Sequence, residues 1–418
     1  MEYGCIGKKL PHSFSKIIHE KIGDYSYELC ELTEEELPLF MTKRDFKAIN
    51  VTIPYKEAVI PYLYELSETA KSIGAVNTVV NRGGKLYGYN TDFYGMAALI
   101  KKNNIDFAGK KVAVLGTGGT SKTAAAVAKS LGAETVIKVS RKSIDGTVTY
   151  DELYKNHSDT DIIINTTPVG MFPQIYASPV DLSSFEHLTG VIDAVYNPLE
   201  TKLVANAKVK GIPAESGLYM LVAQAIRAYE IFMDQTAEEN LLNSIFNDVK
   251  SQKQNIVLIG MPGSGKTTIG QAVSNKLSRD FVDSDNEIKK IIKTDISDYF
   301  EKFGEEKFRD VETEVIKDIS KLSGAVIATG GGAVLRQENV DALKMNGVLY
   351  FLDRPLEQII PTSDRPTASS TEALKKRYNE RYGIYCASAD KNITVTGNVQ
   401  DAVVQIEGEH FNYENSCY

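Results

Sequence analysis

The chain has 418 residues, 43% of them hydrophobic and 24% charged. This length and composition suggest about three domains of ordinary globular character. The formal net charge is −8, and Lys and Arg form no run long enough to follow a phosphate backbone. We therefore expect no nucleic-acid partner.

Cysteine usage and the N-terminus indicate the compartment. Cys5, Cys30, Cys386 and Cys417 include no CxxC pair, so neither a zinc site nor a disulfide framework is expected. The first residues, MEYGCIGKKLPHSFSK, lack the apolar core of a signal peptide. No window approaches the run of about 18 apolar residues that a membrane-spanning helix needs. These features predict a cytoplasmic protein without a membrane partner.

The first part of the chain is interpreted as two α/β domains. Residues 1–91 alternate short apolar runs, such as KAINVTIPY and AVNTVV, with helical segments. A βαβ pattern then runs from KVAVLG to GIPAES, which predicts a nucleotide-binding domain over residues 92–216. Helices in residues 217–249 follow, and we expect them to complete the domain formed by residues 1–91.

The rest of the chain begins after a polar stretch. KSQKQN, residues 250–255, is predicted to be a linker. Residues 256–418 are long enough for one further α/β domain. Two enzymes in tandem are the resulting interpretation.

A glycine loop follows the first strand of the domain over residues 92–216. In LGTGGTSKT, Gly116 and Gly118 begin a GxGxx(G/A) fingerprint, with Ser121 in place of the third glycine. Such glycines allow a tight turn that lets a pyrophosphate approach the start of a helix. The loop therefore predicts a Rossmann domain that binds a dinucleotide.

The end of the next strand indicates which dinucleotide. Ser140, Arg141 and Lys142 stand where an acidic residue would bind the ribose 2′-hydroxyl of NAD. Arg and Lys instead suit the 2′-phosphate of NADP. A basic loop on a solvated face is the alternative interpretation.

A second glycine loop lies in IVLIGMPGSGKTTIG, residues 256–270. Gly260, Gly265, Lys266 and Thr267 satisfy the pattern GxxxxGK followed by Ser or Thr, between an apolar strand and a helix. In such a loop, backbone amides surround the phosphates, the lysine neutralises the β and γ oxygens, and the hydroxyl can ligate Mg²⁺. This pattern predicts an ATP-binding P-loop, whereas a tight turn without nucleotide is the alternative.

An acidic pair follows the second glycine loop. FVDSD places Asp283 and Asp285 two residues apart at the end of the next strand, and we expect them on one face. One carboxylate would support Mg²⁺ and the other would meet an acceptor hydroxyl. A solvated strand edge is the alternative interpretation.

Further motifs after the second loop resemble those of shikimate kinase. FGEEKFRDVE, VIATGGGAV, PTSDRPTA and NERYGIYCASAD occur in the order of that family, and the resemblance covers essentially all of residues 256–418. It implies that Lys266 and Asp283 are catalytic, that Thr267 and Asp283 hold Mg²⁺, and that Arg365 lies on a mobile lid over ATP. The implied ATP-binding residues are Gly263, Ser264, Gly265, Lys266, Thr267, Thr268 and Arg365, and the implied shikimate-binding residues are Asp285, Arg309, Gly331 and Arg381.

Six motifs over residues 1–248 resemble shikimate dehydrogenase. HSFSK, NVTIPYKEAV, GAVNTVV, YNTDFYG, INTTPVGM and GLYMLVAQA occur in the order and spacing of that family. The resemblance implies NADP-linked reduction of 3-dehydroshikimate to shikimate, with Lys56 and Asp92 as the acid/base pair. A proton donor beside the ketone oxygen lowers the barrier, because hydride transfer pushes charge onto that oxygen.

The same resemblance implies the binding residues of the dehydrogenase. The substrate would contact Ser13, Ser15, Thr52, Asn77, Asp92, Tyr196 and Gln224. The cofactor would contact Glu68, Gly116, Thr117, Gly118, Gly119, Thr120, Ser140, Arg141, Lys142 and Gly217. The expected fold is thus α/β: a shikimate-dehydrogenase-like substrate domain and a Rossmann NADP domain, followed by a P-loop kinase domain with a parallel sheet.

Together these resemblances imply one enzyme that reduces 3-dehydroshikimate with NADPH and then phosphorylates shikimate with ATP and Mg²⁺. One alternative is a quinate dehydrogenase, which usually favours NAD, joined to another small-molecule kinase such as gluconate kinase. Arg141 argues against the first part, and Arg309 with Arg381 argues against the second, because two guanidinium groups suit a carboxylated ring. A metabolite-sensing regulator without turnover is a further alternative. The sequence does not indicate an oligomeric state.

Overall fold

Two compact units, Met1–Val249 and Lys250–Tyr418, make up the chain in this computed structural model. The structure describes residues 1–10, 14–144, 146–359 and 371–411. Among these residues, no helix is both long enough and apolar enough to cross a membrane.

The first sheet of the N-terminal unit mixes parallel and antiparallel strands, in the order β2-β1-β3-β5-β6-β4. Its strands are β1 (Tyr3–Gly7), β2 (Glu28–Glu31), β3 (Ala48–Val51), β4 (Glu65–Leu66), β5 (Thr78–Arg82) and β6 (Lys85–Tyr89). The connections contain α1 (Ser15–Ile22), α2 (Glu36–Lys43) and α3 (Glu68–Ile73). β5 and β6 form a hairpin whose turn residues, Gly83 and Gly84, have φ of 60° and 82°. Glycine adopts these angles without steric cost, which explains the Gly-Gly turn.

The second sheet is entirely parallel and has the order β12-β11-β10-β7-β8-β9. Its strands are β7 (Lys111–Leu115), β8 (Thr135–Ser140), β9 (Val148–Thr149), β10 (Ile162–Asn165), β11 (Gly190–Asp193) and β12 (Ala214–Glu215). α4 (Asp92–Lys102) precedes this sheet, and α5 (Gly119–Ser130), α6 (Tyr150–Asn156) and α7 (Lys202–Val209) connect its strands. The strand order reverses between β7 and β10, and dinucleotides bind sheets of this kind at the carboxyl ends beside such a reversal. The Rossmann prediction is confirmed.

Two helices follow the second sheet, α8 (Leu218–Met233) and α9 (Leu241–Lys253), and the boundary between the two units falls within α9. α8 packs against α1 and α4. A Cβ atom on Gly95 of α4 would lie 2.5 Å from the carbonyl oxygen of Met220 on α8, so glycine allows this close crossing. The contact fixes the start of α4 relative to the first two turns of α8, and both positions carry predicted site residues, Asp92 and Gln224.

The C-terminal unit contains one parallel sheet with the order β14-β15-β13-β16-β17. Its strands are β13 (Asn255–Ile259), β14 (Phe281–Asp283), β15 (Val326–Ala328), β16 (Gly347–Asp353) and β17 (Lys391–Thr394). Its helices are α10 (Lys266–Leu277), α11 (Ser284–Ile292), α12 (Ile296–Ile319), α13 (Gln337–Lys344), α14 (Thr371–Ser388) and α15 (Val399–Phe411). The central strand, NIVLI, is buried throughout, as is typical of a parallel sheet covered on both faces. The predicted P-loop domain with a parallel sheet is confirmed.

The stretch predicted to be a linker has regular secondary structure. Residues 250–253 complete α9, and Asn255 begins β13. Ser251 is buried, and its carbonyl oxygen accepts hydrogen bonds from Arg279 at 2.7 Å and His410 at 2.8 Å. The polar residues of KSQKQN therefore belong to a helix end and a strand start, and the prediction of a spacer over residues 250–255 is wrong.

Candidate active sites

Lys56 and Asp92 form a largely buried ion pair. Nζ of Lys56 lies 2.5 Å from Oδ2 of Asp92, and the two side chains are 12% and 3% exposed. Lys56 lies in the turns that follow β3, and Asp92 is the first residue of α4. The positive end of the α4 dipole stabilises the carboxylate at this position. The structure therefore brings the two predicted acid/base residues into direct contact.

Asn77 connects this ion pair to α8. Its Nδ2 donates to Oδ1 of Asp92 at 2.9 Å and lies 3.1 Å from Oε1 of Gln224, which accepts. Its Oδ1 accepts from the backbone N–H of Thr91 at 2.7 Å, which fixes the orientation of the amide. Four of the predicted substrate and catalytic residues thus form one network, although they lie far apart in the sequence.

The remaining predicted substrate residues lie at the ends of other elements. Thr52 is partly buried directly after β3, and Ser15 begins α1. The ring of Tyr196 lies 5.2 Å from that of Phe14, measured between centroids, and burial raises the pKa of Tyr196 to about 12. The hydroxyl of Tyr196 is therefore protonated near neutral pH and can donate a hydrogen bond. Ser13 lies outside the described residues.

The first glycine loop joins β7 to α5. Gly116 has φ of 112°, and a Cβ atom there would lie 2.8 Å from Oγ1 of Thr166. Gly118 is the N-cap of α5. The hydroxyl of Ser121 donates to the carbonyl oxygen of Gly116 at 2.7 Å, so the serine in the third glycine position ties the loop to the helix. The cradle fits a pyrophosphate at the positive end of α5.

The start of α5 lies beside the catalytic lysine. A Cβ atom on Gly119 would be 3.4 Å from Cδ of Lys56, and Thr120 follows in the same turn. Gly217, the N-cap of α8, lies so close to Ala194 that a Cβ atom would overlap its backbone. A dinucleotide in the loop would therefore lie next to the ion pair.

The predicted discriminator residues lie at the end of β8. Ser140 ends the strand and is buried, whereas Arg141 and Lys142 are exposed. Within the described ranges, neither basic side chain has a carboxylate partner, so both are available to an anionic group. Glu68 begins α3, where its carboxylate lies 2.8 Å from Nζ of Lys71 and is 91% exposed. Thr117 is exposed in the glycine loop.

The second glycine loop joins β13 to α10. Gly260, Gly263 and Gly265 all have positive φ, at 147°, 84° and 99°, which lets the backbone curl around a ligand. Nζ of Lys266 lies 2.9 Å from each of two loop carbonyl oxygens. Ser264 is fully buried, and its hydroxyl has no hydrogen-bond partner among the described residues. Such a donor-rich cradle fits a phosphate chain.

Thr267 and Asp283 meet at the edge of this cradle. The Thr267 hydroxyl donates to Oδ2 of Asp283 at 2.7 Å, and Thr268 follows on α10. No group of three or more His, Cys, Asp or Glu residues in the described part of the chain could hold a metal by itself. Two oxygen ligands nevertheless fit Mg²⁺, which keeps several water or phosphate ligands.

Asp285 does not share a strand face with Asp283. β14 ends at Asp283, whose Oδ1 accepts from the backbone N–H of Asp285 at 3.0 Å and caps α11. Asp285 therefore lies in the first turn of α11, and the expectation of one strand face is wrong. Its carboxylate instead faces the glycine segment after β15, because a Cβ atom on Gly330 would lie 2.6 Å from Oδ1 of Asp285.

Two arginines converge on that glycine segment. Nη1 of Arg381 donates to the carbonyl oxygen of Gly331 at 3.1 Å. A Cβ atom on Gly332 would overlap the guanidinium of Arg309, which is buried on α12. The structure thus brings together Asp285, Arg309, Gly331 and Arg381. Arg365 lies outside the described residues.

Sequence reasoning missed two members of this cluster. Glu312 is 1% exposed and accepts from Nη1 of Arg309 at 2.6 Å. Burial raises the pKa of Glu312, although the Arg309 charge opposes the rise. Tyr385 donates to the carbonyl oxygen of Gly331. The i, i+3 spacing of Arg309 and Glu312 on one helix was the available signal for Glu312.

These sites define a class of protein: a dinucleotide-dependent oxidoreductase joined to a P-loop kinase. Residues 5–79 match the family model of the shikimate dehydrogenase substrate binding domain, and residues 262–408 match the model of shikimate kinase. The shikimate dehydrogenase (NADP(+)) of Clostridium beijerinckii is 36% identical over 260 residues, which cover 59% of this chain and 96% of that protein. This chain belongs to the shikimate dehydrogenase family.

Solved structures agree with this assignment. Shikimate dehydrogenase 1 from Peptoclostridium difficile has a TM-score of 0.56 and 38% identity, and the match covers 59% of this chain and 97% of that one. A chorismate mutase/shikimate 5-dehydrogenase fusion protein from Clostridium acetobutylicum has a TM-score of 0.56 and 35% identity, over 59% of this chain and 96% of its own. The shikimate 5-dehydrogenase of Thermus thermophilus in complex with NADP(H) and shikimate has a TM-score of 0.54 and 27% identity, over 59% of this chain and 99% of that one.

Proposed function

We propose that this chain reduces 3-dehydroshikimate to shikimate with NADPH and phosphorylates shikimate to shikimate 3-phosphate with ATP. The observation that supports the proposal is that each of the two units holds its own cluster of catalytic and binding groups. The N-terminal unit has the Lys56–Asp92 ion pair beside a dinucleotide cradle. The C-terminal unit has a P-loop and two arginines around Gly331.

In the reduction, Lys56 is the proton donor to the substrate oxygen. NADPH, when bound, supplies the hydride. The ammonium group of Lys56 stabilises the negative charge that develops on the ketone oxygen and then transfers its proton there. Asp92 orients Lys56 through its Oδ2, and Asn77 in turn holds Asp92 through its Oδ1. Further polar groups for the substrate come from Ser15, Thr52, Tyr196 and Gln224.

The choice of NADP is supported by Arg141 and Lys142. Both cations follow β8 and are exposed, so they can pair with the 2′-phosphate of the cofactor. The similarity to the shikimate dehydrogenase (NADP(+)) of Clostridium beijerinckii supports the same choice. A quinate enzyme that uses NAD is not favoured.

In the phosphorylation, the protein positions two anions and neutralises charge. ATP, when bound with Mg²⁺, supplies the phosphoryl group. Lys266 and the loop amides would hold its phosphate oxygens, and Thr267 and Asp283 would ligate Mg²⁺. Arg309 and Arg381 hold the shikimate carboxylate, and Asp285 contacts the ring hydroxyls. We also propose that Arg365 contacts ATP and that the protein is cytoplasmic.

One experiment tests both activities. Purified protein receives 3-dehydroshikimate, NADPH, ATP and Mg²⁺, and each component is omitted in turn while mass spectrometry follows the products. Shikimate 3-phosphate is expected only in the complete mixture, and shikimate alone is expected without ATP. A protein that binds these compounds but yields neither product would be a sensor rather than an enzyme.

A further inference from the structure

Arg354 lies at the edge of the sheet where the second glycine loop begins. It directly follows β16, which pairs in parallel with β13, and Ile259 at the end of β13 is opposite Phe351. The carboxyl ends of these two strands therefore lie side by side. One leads into the P-loop and the other into Arg354.

The guanidinium of Arg354 reaches the last glycine of the loop. A Cβ atom on Gly265, the N-cap of α10, would lie 3.6 Å from Nη2 of Arg354. A Cβ atom on Gly260 would lie 3.0 Å from the carbonyl oxygen of Leu352, so the end of β16 packs against the loop at both of these glycines. Arg354 is thus held beside the start of α10, where loop amides and the helix dipole favour negative charge.

No protein group in the described ranges neutralises Arg354. Its Nε is buried without a hydrogen-bond partner, and its guanidinium is in no ion pair among these residues. The adjacent carboxylate, Asp353, accepts instead from the hydroxyl of Tyr382 at 3.0 Å. Because an arginine side chain only donates hydrogen bonds, the guanidinium of Arg354 has no anionic acceptor among the described residues.

The hydroxyl of Ser264, in the same loop, also has no hydrogen-bond partner among the described residues. Among the residues that the structure describes, the Ser264 hydroxyl is fully buried and unpartnered, and it lies 3.1 Å from the position of a Cβ atom on Gly260. Lys266 adds an ammonium group, whose hydrogen bonds include two to loop carbonyl oxygens. Three side chains therefore place donors beside the loop: Ser264 within it, Lys266 at the start of α10, and Arg354 directly after β16.

We propose that Arg354 binds the phosphate chain of the nucleotide as a further nucleotide-binding residue of the kinase. This inference rests on the proposed kinase function and deepens it. The segment PTSDRPTA offers one arginine, Arg365, for the nucleotide. Arg354 adds a second guanidinium from the rigid end of a core strand, which positions its donors with less loss of side-chain freedom.

The test compares Arg354→Met, Arg354→Lys and a matched control. Arg354→Met keeps most of the apolar stem and removes the donors. The control is Arg336→Ala, which removes the same charge from an arginine paired with Glu306 and Asp310 on α12. Binding of ADP and of adenosine is measured by calorimetry, and initial rates give the KM for ATP and for shikimate.

Arg354→Met is expected to weaken ADP binding and to raise the KM for ATP by about 10-fold, as expected for a lost charged hydrogen bond. Arg354→Lys should recover part of this loss, because it restores a cation without the planar fork. Adenosine binding, the KM for shikimate, NADPH oxidation and the Arg336→Ala protein should stay near wild type.

Two outcomes overturn the inference. One is unchanged ADP affinity of folded Arg354→Met protein, whether or not its melting temperature falls. The other is an equal loss of ADP and adenosine binding, which would place Arg354 at the base. If the wild-type protein binds ADP but does not phosphorylate shikimate, the proposed kinase function fails while the ADP comparison still decides the role of Arg354.

Discussion

At the scale of single residues, the Lys56–Asp92 pair carries the strongest chemical expectation. Lys56→Ala should lower kcat for NADPH oxidation by about 100-fold or more, because the ketone oxygen loses its proton donor. The loss is measured by the absorbance of NADPH with 3-dehydroshikimate as substrate. Phosphorylation of added shikimate should persist, since Lys56 belongs to the other unit.

The control for this variant is Lys47→Ala. Lys47 directly precedes β3 and pairs with Glu2 on the surface, so its removal changes the charge of the same domain without reaching the ion pair. If kcat for NADPH oxidation in Lys56→Ala were within a few-fold of that in Lys47→Ala, Lys56 would not be the proton donor.

Arg141 should determine the choice of cofactor. Arg141→Asp is expected to weaken NADPH binding by about 10-fold or more and NADH binding far less, because only NADPH carries the 2′-phosphate that the new carboxylate repels. The ratio of kcat/KM for the two cofactors measures this change. Arg82→Asp, on the hairpin between β5 and β6, makes the same charge change elsewhere in the unit. Equal losses for both cofactors in Arg141→Asp would show that Arg141 does not contact the 2′-phosphate.

Asp193 should make the stability of the N-terminal unit depend on pH. Its Oδ1 accepts from Nδ2 of Asn165 and the backbone N–H of Val195, each at 2.9 Å, and its Oδ2 accepts from Thr201 at 2.8 Å. Burial raises the pKa of Asp193 from 3.8 to about 7, although these three donors oppose the rise. The folded protein therefore binds this proton more tightly than the unfolded chain does.

The sign follows from that difference in proton binding. The contribution of Asp193 to stability is present below pH 4 and is lost as the pH rises towards 7. Asp193→Asn keeps an acceptor oxygen but does not ionise. From pH 5 to pH 7, the free energy of unfolding of wild type should fall by about 1 kcal/mol per pH unit relative to that of this variant. Calorimetry measures the free energy of unfolding of both proteins, and the unfolding transition of the N-terminal unit is the one that NADP⁺ shifts. A difference between wild type and Asp193→Asn that does not change with pH would contradict the prediction.

At the scale of elements, the glycine segment after β15 positions Arg309. Gly332→Ala should lower kcat/KM for shikimate by about 10-fold or more, because its Cβ atom would displace the guanidinium of Arg309. ATP affinity should change little. Gly332 has φ of −106°, so the effect is not backbone strain. Initial rates with varied shikimate and varied ATP separate the two affinities.

Gly383→Ala provides the matched control. Gly383 lies within α14, and a Cβ atom there meets nothing within 4 Å. Alanine should leave the rates unchanged and stabilise the helix by about 0.5 to 1 kcal/mol. An effect on shikimate from both variants would mean that added bulk, rather than displacement of Arg309, explains the loss.

The order of elements was predictable because apolar strands and glycine loops carry local signals. Buried strands such as NIVLI and IIIN, and the loops after β7 and β13, follow from patterns within a few residues. The face of Asp285 was not predictable in this way, because it depends on α11 starting one residue after Asp283. Arg354 reaches the second glycine loop through tertiary packing, whereas Glu312 was indicated only by its i, i+3 spacing from Arg309. The polar composition of KSQKQN concealed a helix end whose carbonyl groups bind residues far along the chain.

At the scale of the whole molecule, one helix contributes to both units. Ile245, Phe246 and Val249 of α9 lie in the core of the N-terminal unit. Ser251, near the end of the same helix, is bonded within the C-terminal unit. The two folded units are therefore parts of one covalent chain. Because both units are made as one chain, they are produced in equal amounts. This role of the linkage does not require transfer of shikimate within the molecule.

We predict that shikimate mixes with the bulk solution before it is phosphorylated. Linkage raises the effective concentration of partners that bind each other, but a small soluble product diffuses away faster than a typical kcat of about 10 per second can consume it. Isotopically labelled 3-dehydroshikimate is supplied with NADPH, ATP and excess unlabelled shikimate, and mass spectrometry follows the label in shikimate 3-phosphate. The label should be diluted to the bulk ratio from the first turnovers, as in a mixture of Lys56→Ala and Lys266→Ala proteins. Undiluted early product from wild type alone would require a closed path between the two sites.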